Sequence, residues 1–261
     1  MDLNLTGKRA LVCGSTQGIG KAAAIELALL GADVTLLARN EEKLKDTIQA
    51  LPDQGTLGHH YLVADFSDPA QLKSVIQKYA DENQVDILVN NTGGPPGGPI
   101  AEAATDEFIS AFNSHVICNQ VLVQAVSPGM KKNGYGRIIN LISTSVKTPL
   151  KGLGVSNTIR GAVASWAKTL AMELAPFGIT VNNVLPGYTM TGRLESLIGS
   201  ISDKEGMTKA EVESEMIRSI PAGRIAEAHE VAAAIAFLAS PAASYINGIN
   251  VPVDGGKTPS L

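Results

Sequence analysis

Three closely spaced glycines, Gly14, Gly18 and Gly20, follow a short apolar run and precede a segment with helical apolar spacing. Because glycine has no Cβ, the backbone can approach a diphosphate closely there, and the N–H groups that open the helix face the anion. The turn therefore predicts a binding site for the diphosphate of a dinucleotide. The candidate contacts are Gly14, Ser15, Gln17, Gly18, Ile19 and Gly20.

The end of the second apolar run, Ala38-Arg39-Asn40, indicates which dinucleotide binds. In dinucleotide-binding folds this position lies against the adenosine ribose, and an acidic residue there binds the 2′-hydroxyl of NAD. An arginine can instead pair with a 2′-phosphate, so Arg39 predicts NADP, with NADPH preferred over NADH. The alternative is a solvated arginine at a helix start, where a positive charge gains nothing from the helix dipole.

Residues at the ends of the third and fourth apolar runs complete the expected cofactor contacts. Asp65, followed by Phe66, could accept a hydrogen bond from the adenine amino group. The amide of Asn91 can bridge backbone segments, and Gly93 lets the chain pass close to a ribose. Ordinary turn chemistry would explain the same residues, so both interpretations stay open.

The pattern of the chain also predicts the scaffold that brings these residues together. Short apolar runs alternate with stretches of helical apolar spacing. Such alternation is typical of an α/β, Rossmann-type, doubly wound parallel sheet of about seven strands with helices on both faces, here in a single domain over 1–261. The predicted strands are 9–13, 34–38, 60–64, 86–90, 136–141, 179–184 and 250–253, and the predicted helices are 18–30, 41–51, 68–82, 105–130, 152–174, 207–220 and 228–238.

A mostly polar segment, 188–220, follows the sixth predicted strand and contains the predicted helix 207–220. Open parallel sheets bind ligands beyond the carboxyl ends of their strands. The position of the segment therefore predicts a lid over a substrate. A solvated surface helix is the alternative explanation for its many charges.

Composition excludes several classes of partner. The net charge is −4, with 44% hydrophobic and 18% charged residues and no basic run, so neither disorder nor nucleic-acid binding is expected. The N-terminus does not resemble a secretion signal, and no apolar run is long enough to span a membrane. Cys13 and Cys118 lie in apolar patterns without metal-ligand spacing, which predicts buried free thiols, no metal and a reducing, cytoplasmic location.

Together these motifs resemble the short-chain dehydrogenase/reductase family over essentially the whole chain, most closely its 3-oxoacyl-acyl-carrier-protein reductase branch. The residues that carry the resemblance are Gly14 to Gly20, Asn90 to Gly93, 136–140 with Ser143, 174–182, Pro186-Gly187 and 247–256. The resemblance implies cofactor contacts from Pro186, Gly187 and Thr189. It also implies a homotetramer or homodimer whose subunits pair through the helices 105–130 and 152–174.

The catalytic positions depart from the family pattern, which is a serine, a tyrosine thirteen residues later, a lysine four beyond that, and an asparagine on the preceding long helix. Ser143 matches the serine, whereas Ser156, Arg160 and His115 replace the tyrosine, lysine and asparagine. A serine hydroxyl is a poor acid. Arginine stays protonated and cannot relay a proton, although Arg160 could hold the nicotinamide ribose hydroxyls.

Two other side chains could supply the missing proton. His115 could donate it, since an ordinary imidazole titrates near pH 6.5, or it could be a hydrogen-bonded structural residue. Tyr188 could reach the pocket from the lid or could pack beneath the lid, whereas Tyr135 sits in a turn on the wrong side for chemistry.

Two functions follow from the sequence. One is an NADP-dependent oxidoreductase with an atypical catalytic core, acting on a carbonyl or alcohol in a small-molecule or acyl-type substrate. The other is a catalytically impaired NADP-binding sensor or partner subunit. Intact Gly14, Arg39, Asn91 and Ser143 are compatible with both.

Overall fold

The computed structural model describes residues 1–260, which form a seven-stranded, wholly parallel sheet in the order β3-β2-β1-β4-β5-β6-β7. The strand order reverses direction next to β1, which creates the crevice in which such sheets bind ligands. The predicted Rossmann-type fold is confirmed. The strands are β1 Arg9–Cys13, β2 Asp33–Ala38, β3 His60–Val63, β4 Ile87–Asn90, β5 Gly136–Leu141, β6 Ile179–Pro186 and β7 Asn250–Val253.

Helices cover both faces of the sheet. They are α1 Gly18–Leu29, α2 Glu41–Gln49, α3 Pro69–Glu82, α4 Thr105–Phe112, α5 Cys118–Asn133, α6 Gly154–Leu174, α7 Gly192–Glu205, α8 Lys209–Arg218 and α9 Ala228–Ala239. In β1, Ala10 and Val12 pack in the apolar layer with α1 and α9, while Leu11 and Cys13 pack in the layer with α3, α5 and α6. Successive residues of a strand point to opposite faces, so both faces of β1 must be apolar, as its sequence is.

The predicted helix 105–130 is wrong in its continuity. The structure interrupts it with a single π-helical turn, Asn113–Ile117, between α4 and α5. An inserted residue of this kind widens the helix locally and is frequent at functional sites. This turn carries His115, so the interruption sets the position of one of the predicted site residues.

The segment 188–220 contains helical pieces, as predicted, and they are two helices, of which only the second was located from the sequence. α8 begins after Thr208, whose side chain and Glu211 form a reciprocal capping box. The additional helix, α7, begins after Thr191 and was missed because its apolar residues are sparse. Leu194 and Ile198 of α7 pack against Val212 of α8 in a small apolar cluster separate from the two main layers, and this packing stabilises α7.

A row of four asparagines connects four neighbouring strands. The side-chain amide of Asn90 donates to Asn140 (2.8 Å), that of Asn140 to Asn183 (2.8 Å), and that of Asn183 to Asn250 (2.7 Å). The four residues are register partners in β4, β5, β6 and β7. Because each buried amide is paired only in this register, the row helps to fix the alignment of the strands that carry the site.

Two further predictions concern the thiols and membrane segments. Cys13 and Cys118 are buried and free, as predicted, and burial raises the pKa of the Cys118 thiol to about 12. Neither thiol is therefore a nucleophile at neutral pH. Within residues 1–260, no helix has both the length and the apolar character needed to cross a bilayer.

Candidate functional site

The glycine turn lies between β1 and α1, at the carboxyl edge of the sheet. Gly14 and Gly18 have φ values of 58° and 54°, which favour glycine. A Cβ at Gly20 would overlap the carbonyl oxygen of Gly14 and lie 2.6 Å from Nδ2 of Asn91. The glycines therefore let the turn fold closely on itself into a compact backbone cradle before the N-terminus of α1, whose N–H groups can face a diphosphate.

Asn91 holds this turn from the end of β4. Its Nδ2 donates to the carbonyl oxygens of Cys13 and Gly14, both at 3.2 Å. The amide thus bridges two backbone segments, as its sequence position suggested. Because these hydrogen bonds fix the position of Gly14, Asn91 would contribute to cofactor binding by holding the glycine turn in place, in addition to any direct contact.

The region after β6 closes the other side of the turn. A Cβ at Gly18 would lie 3.2 Å from the methyl carbon of Thr191, so the start of α7 lies over the glycine turn. The predicted contact Thr189 is only 5% exposed and its hydroxyl donates to the Gly187 carbonyl oxygen at 3.2 Å, so its side chain is occupied. The Thr191 hydroxyl likewise donates to the Thr189 carbonyl oxygen at 3.2 Å, whereas its methyl carbon lies beside the glycine turn. Thr191 is the N-cap of α7, and its Oγ1 accepts a hydrogen bond from the Leu194 backbone N–H at 3.4 Å. Threonine is a preferred N-cap residue, so this was the sequence signal that could have located α7.

Pro186 and Gly187 end β6 beside β7. A Cβ at Gly187 would lie 2.7 Å from the Cα of Asp254, so only glycine allows this close approach of the two segments. Pro186 pairs in register with Val253. These residues set the direction in which the chain leaves the sheet towards Thr191.

The residues predicted to bind the adenosine end lie together at the ends of β2 and β3. Nη1 of Arg39 is 3.9 Å from Oδ2 of Asp65, and the two side chains are 75% and 37% exposed. Asp65 also accepts a hydrogen bond from the Ser67 backbone N–H at 2.9 Å, which is the turn chemistry considered above. The exposed guanidinium of Arg39 can reach a phosphate at this edge, with Asp65 beside it.

The side chains of Ile19 and Phe66 pack in the apolar core. Phe66 is 8% exposed and packs in the core layer with α3 and α5, and its carbonyl oxygen accepts from Sγ of Cys118 at 3.3 Å. Ile19 packs against the opposite core layer. Any contribution of Phe66 to a cofactor site would come from its backbone.

Three of the four predicted catalytic residues lie just after β5 and in the first two turns of α6. Ser143 Oγ accepts a hydrogen bond from the Ser145 backbone N–H at 3.1 Å, which leaves its own proton available for donation. Ser156 is half-buried on α6, and Arg160 lies one helical turn further along. Nη1 of Arg160 donates to the Leu141 carbonyl oxygen at 3.0 Å, which ties α6 to the strand end that leads to Ser143.

Arg160 is a buried cation, 8% exposed. Burial, and secondarily the positive charge of Arg193, lowers its pKa to about 10. The guanidinium therefore stays protonated at neutral pH. It can stabilise a negative charge in the site, but it cannot take up or release the proton of a reaction.

His115 is 2% exposed in the π-helical turn. Burial, followed by the charge of Arg160, lowers the pKa of its imidazole to about 3, although a hydrogen bond to the Gly93 backbone works in the opposite direction. The expectation of a titration near pH 6.5 is therefore wrong for this residue. The neutral imidazole holds the loop that follows β4, which favours the structural interpretation.

Replacing His115 by asparagine, the residue that the family pattern has here, is expected to make folding less sensitive to acid. An unfolded histidine takes up a proton near pH 6.5, whereas the folded state keeps this imidazole neutral down to about pH 3. As the pH falls from about 6.5, the free energy of unfolding of the wild type should therefore fall relative to the variant, by about 1.4 kcal/mol per pH unit. Urea unfolding of both proteins at about pH 7 and pH 5 measures this difference. A difference that is the same at both pH values would contradict the buried, neutral imidazole.

The two tyrosines considered as alternatives make structural contacts. The Tyr188 ring packs in the apolar cluster of α7 and α8, with Lys257 Nζ 4.8 Å from its centroid. The Tyr135 hydroxyl donates to the Ala239 carbonyl oxygen at 3.1 Å. These contacts support the packing interpretation of Tyr188 and agree with the position predicted for Tyr135.

The sequence also missed Arg193, in the first turn of α7. Its Nη2 donates to the Pro95 carbonyl oxygen at 3.0 Å, which connects the start of α7 to the loop after β4. Nothing in the local sequence pattern indicates this contact, because the two residues are far apart in the chain. Arg193 is thus a second cation close enough to Arg160 to lower its pKa.

Comparisons with known proteins match nearly the whole chain. Residues 14–258 match the family model described as Enoyl-(Acyl carrier protein) reductase. The 3-oxoacyl-acyl-carrier-protein reductase FabG of Vibrio cholerae is 35% identical over 260 residues, which cover 97% of this chain and 98% of that protein.

Two solved structures have the same fold over nearly their whole length. The L-sorbose reductase from Gluconobacter frateurii, complexed with NADPH and L-sorbose, has a TM-score of 0.93 and 29% identity, with 100% of both chains covered. A gluconate 5-dehydrogenase from Burkholderia cenocepacia J2315, in complex with NADP and tartrate, has a TM-score of 0.88 and 30% identity, with 100% of this chain and 98% of that chain covered. The glycine turn, the strand order and these matches over the full length together establish that the chain belongs to the short-chain dehydrogenase/reductase family.

Proposed function

We propose that this chain is an NADPH-dependent oxidoreductase that acts on a carbonyl or alcohol group and works with an atypical catalytic core. The observation that carries the proposal is the compact cradle at Gly14 and Gly20, held by Asn91, with the exposed Arg39 at the predicted adenosine end of the same sheet edge. The cradle fits a diphosphate and Arg39 fits a 2′-phosphate. The relatives complexed with NADPH or NADP, on the same fold, support this cofactor.

NADPH, when bound, supplies the hydride. The residues of this chain would orient the substrate and stabilise the negative charge that develops on its oxygen. Ser143 can donate its free hydroxyl proton in a hydrogen bond, Ser156 stands in α6 at the position of the family tyrosine, and Arg160 contributes a permanent positive charge. None of the three is a strong acid, so proton delivery from solvent is the expected slow step. General acid–base help is worth about 10²–10⁴-fold, which sets the expected loss of rate against a family member with the usual tyrosine.

We further propose that the 188–220 segment is the substrate lid and that subunits pair into a homodimer or homotetramer. α7 and α8 share their own apolar cluster and α7 starts over the glycine turn, so the pair of helices can cover a bound ligand. The long helices expose large apolar side chains: Ile109 and Phe112 on α4, at 59% and 41%, and Met172 on α6, at 63%. Pairing of subunits would bury these side chains.

The second candidate, a binding protein with impaired catalysis, is favoured by the replaced tyrosine and by the neutral His115. It shares the cofactor site with the first candidate and differs only in turnover. A purified protein that binds NADPH but leaves its absorbance unchanged with 3-oxoacyl, sugar and oxo-acid substrates would favour the sensor. Consumption of NADPH with any of them would establish the enzyme.

The substitution Arg39→Asp tests the cofactor part of the proposal. It is expected to weaken NADPH binding about 100-fold, because an ion pair with the 2′-phosphate is replaced by repulsion between like charges. NADH, which lacks that phosphate, serves as the internal control, and its affinity should be unchanged or improved. Calorimetric titration of both cofactors measures the effect. Equal weakening of NADPH and NADH would place the 2′-phosphate elsewhere, and failure of the wild type to bind either would remove the proposed function.

A further inference from the structure

Two arginines from distant parts of the chain converge on Gly94, in the loop that follows β4. A Cβ at Gly94 would lie 3.5 Å from Nη2 of Arg160 and 3.6 Å from Nη2 of Arg193. The two guanidinium groups thus lie close to a single point on the loop that follows β4. A carboxylate has two oxygens that can each accept hydrogen bonds from one guanidinium, so this spacing suits one shared anion.

The pair lacks a counter-charge within the chain. In residues 1–260, no carboxylate lies within 4.0 Å of either guanidinium, whereas Arg39, Arg218 and Arg224 each have an acidic partner within that distance. The hydrogen bonds of Arg160 and Arg193 go to the carbonyl oxygens of Leu141 and Pro95, which are neutral. Burying a cation beside another cation without an anion is unfavourable, so the arrangement favours a negatively charged ligand.

The position of the pair indicates which part of a ligand it would meet. Arg160 is bonded to the strand end that leads to Ser143, and Arg193 is two residues beyond Thr191, which lies over the glycine turn. The cradle at Gly14 and Gly20 already provides a separate place for the diphosphate of the cofactor. Through Arg160 the pair adjoins the strand end that leads to Ser143, where the reacting group of the substrate is expected, and Arg193 reaches it from the segment that starts over the glycine turn.

We propose that Arg160 and Arg193 together bind a carboxylate of the substrate, so that the enzyme acts on small carbonyl or hydroxy acids. This inference rests on the proposed function, because it names the substrate class of the same site. Arg193 belongs to the lid segment 188–220, so the carboxylate also joins the lid to the sheet. A neutral sugar or a neutral acyl ester lacks the group that both guanidinium groups require.

The substitution Arg193→Gln tests the inference, with malonate as a simple dicarboxylate probe titrated calorimetrically into the NADPH-saturated protein. Arg193 is exposed, so this variant should fold normally, unlike a replacement of the buried Arg160. We expect malonate affinity to fall about 10- to 100-fold, as for loss of charge-assisted hydrogen bonds, while the Kd for NADPH stays within about twofold. Arg193→Lys keeps the charge but not the planar fork of the guanidinium, so its malonate affinity should lie between those of the wild type and Arg193→Gln.

Arg218→Gln is the matched control, because it removes an exposed arginine from α8 of the same lid segment. It should leave both affinities unchanged. The inference is overturned if the wild type does not bind malonate, or if Arg193→Gln binds malonate as tightly as the wild type. It is also overturned if Arg193→Gln loses as much affinity for NADPH as for malonate, because the pair would then bind a phosphate of the cofactor. Malonate is also titrated without NADPH. Because Arg160 and Arg193 belong to the chain itself, malonate should bind even if the protein does not bind NADPH, so failure of the cofactor proposal and failure of this inference can be told apart.

Discussion

The substitution Gly20→Ala is expected to weaken NADPH binding at least about 100-fold. The added methyl group would overlap the Gly14 carbonyl oxygen and press on Nδ2 of Asn91, so the turn must open and lose the backbone geometry of the cradle. Backbone atoms cannot move aside as a flexible side chain can, and overpacking of this kind also costs about 1–3 kcal/mol of folding free energy. Calorimetric titration of NADPH, together with urea unfolding, measures both effects.

Gly199→Ala is the matched control for this prediction. Gly199 also lies within a helix, α7, but its nearest neighbour to an added Cβ is the end of a flexible lysine, Cε of Lys209 at 4.0 Å. This variant should bind NADPH normally and be about 0.5–1 kcal/mol more stable, since alanine favours a helix over glycine. Unchanged NADPH affinity in Gly20→Ala would show that the glycine turn is not the diphosphate site.

Replacing Asn140 by leucine should cause the largest loss of stability, about 2–4 kcal/mol in the free energy of unfolding. Asn140 is fully buried, and it accepts from Asn90 and donates to Asn183 within the row of asparagines. Leucine has a similar volume, so the variant removes hydrogen bonds without creating a large cavity. It leaves a buried donor and a buried acceptor unpaired, each costing about 1–3 kcal/mol, partly offset by the apolar side chain.

Asn133→Leu provides the comparison, because Asn133 is exposed at the end of α5. Its effect should stay within about 0.5 kcal/mol, as for most surface substitutions. Urea unfolding monitored by circular dichroism gives both values. If Asn140→Leu were as stable as Asn133→Leu, the row of asparagines would contribute nothing to the alignment of the strands.

Local patterns in the sequence were enough to predict the strands, most of the helices and the glycine turn. The β5 strand was predicted with its observed bounds, since it carries the apolar residues Ile138, Ile139 and Leu141 and turns bound it at both ends. The cradle was predictable for the same reason: Gly14, Gly18 and Gly20 are needed wherever the backbone passes this closely to itself. Arg39 and Asp65 could be placed together because both follow strands that end at the same edge of the sheet.

The chemical properties of the predicted catalytic residues depend on tertiary contacts, which local sequence patterns do not reveal. The pKa of His115 depends on how deeply the π-helical turn is buried and on the charge of Arg160, and neither can be read from neighbouring residues. α7 depends on packing against α8, so its weak apolar pattern did not reveal it, and with it Thr191 and Arg193 were missed. The convergence of Arg160 and Arg193 at one point arises from contacts between residues far apart in the chain, which spacing along the sequence does not encode.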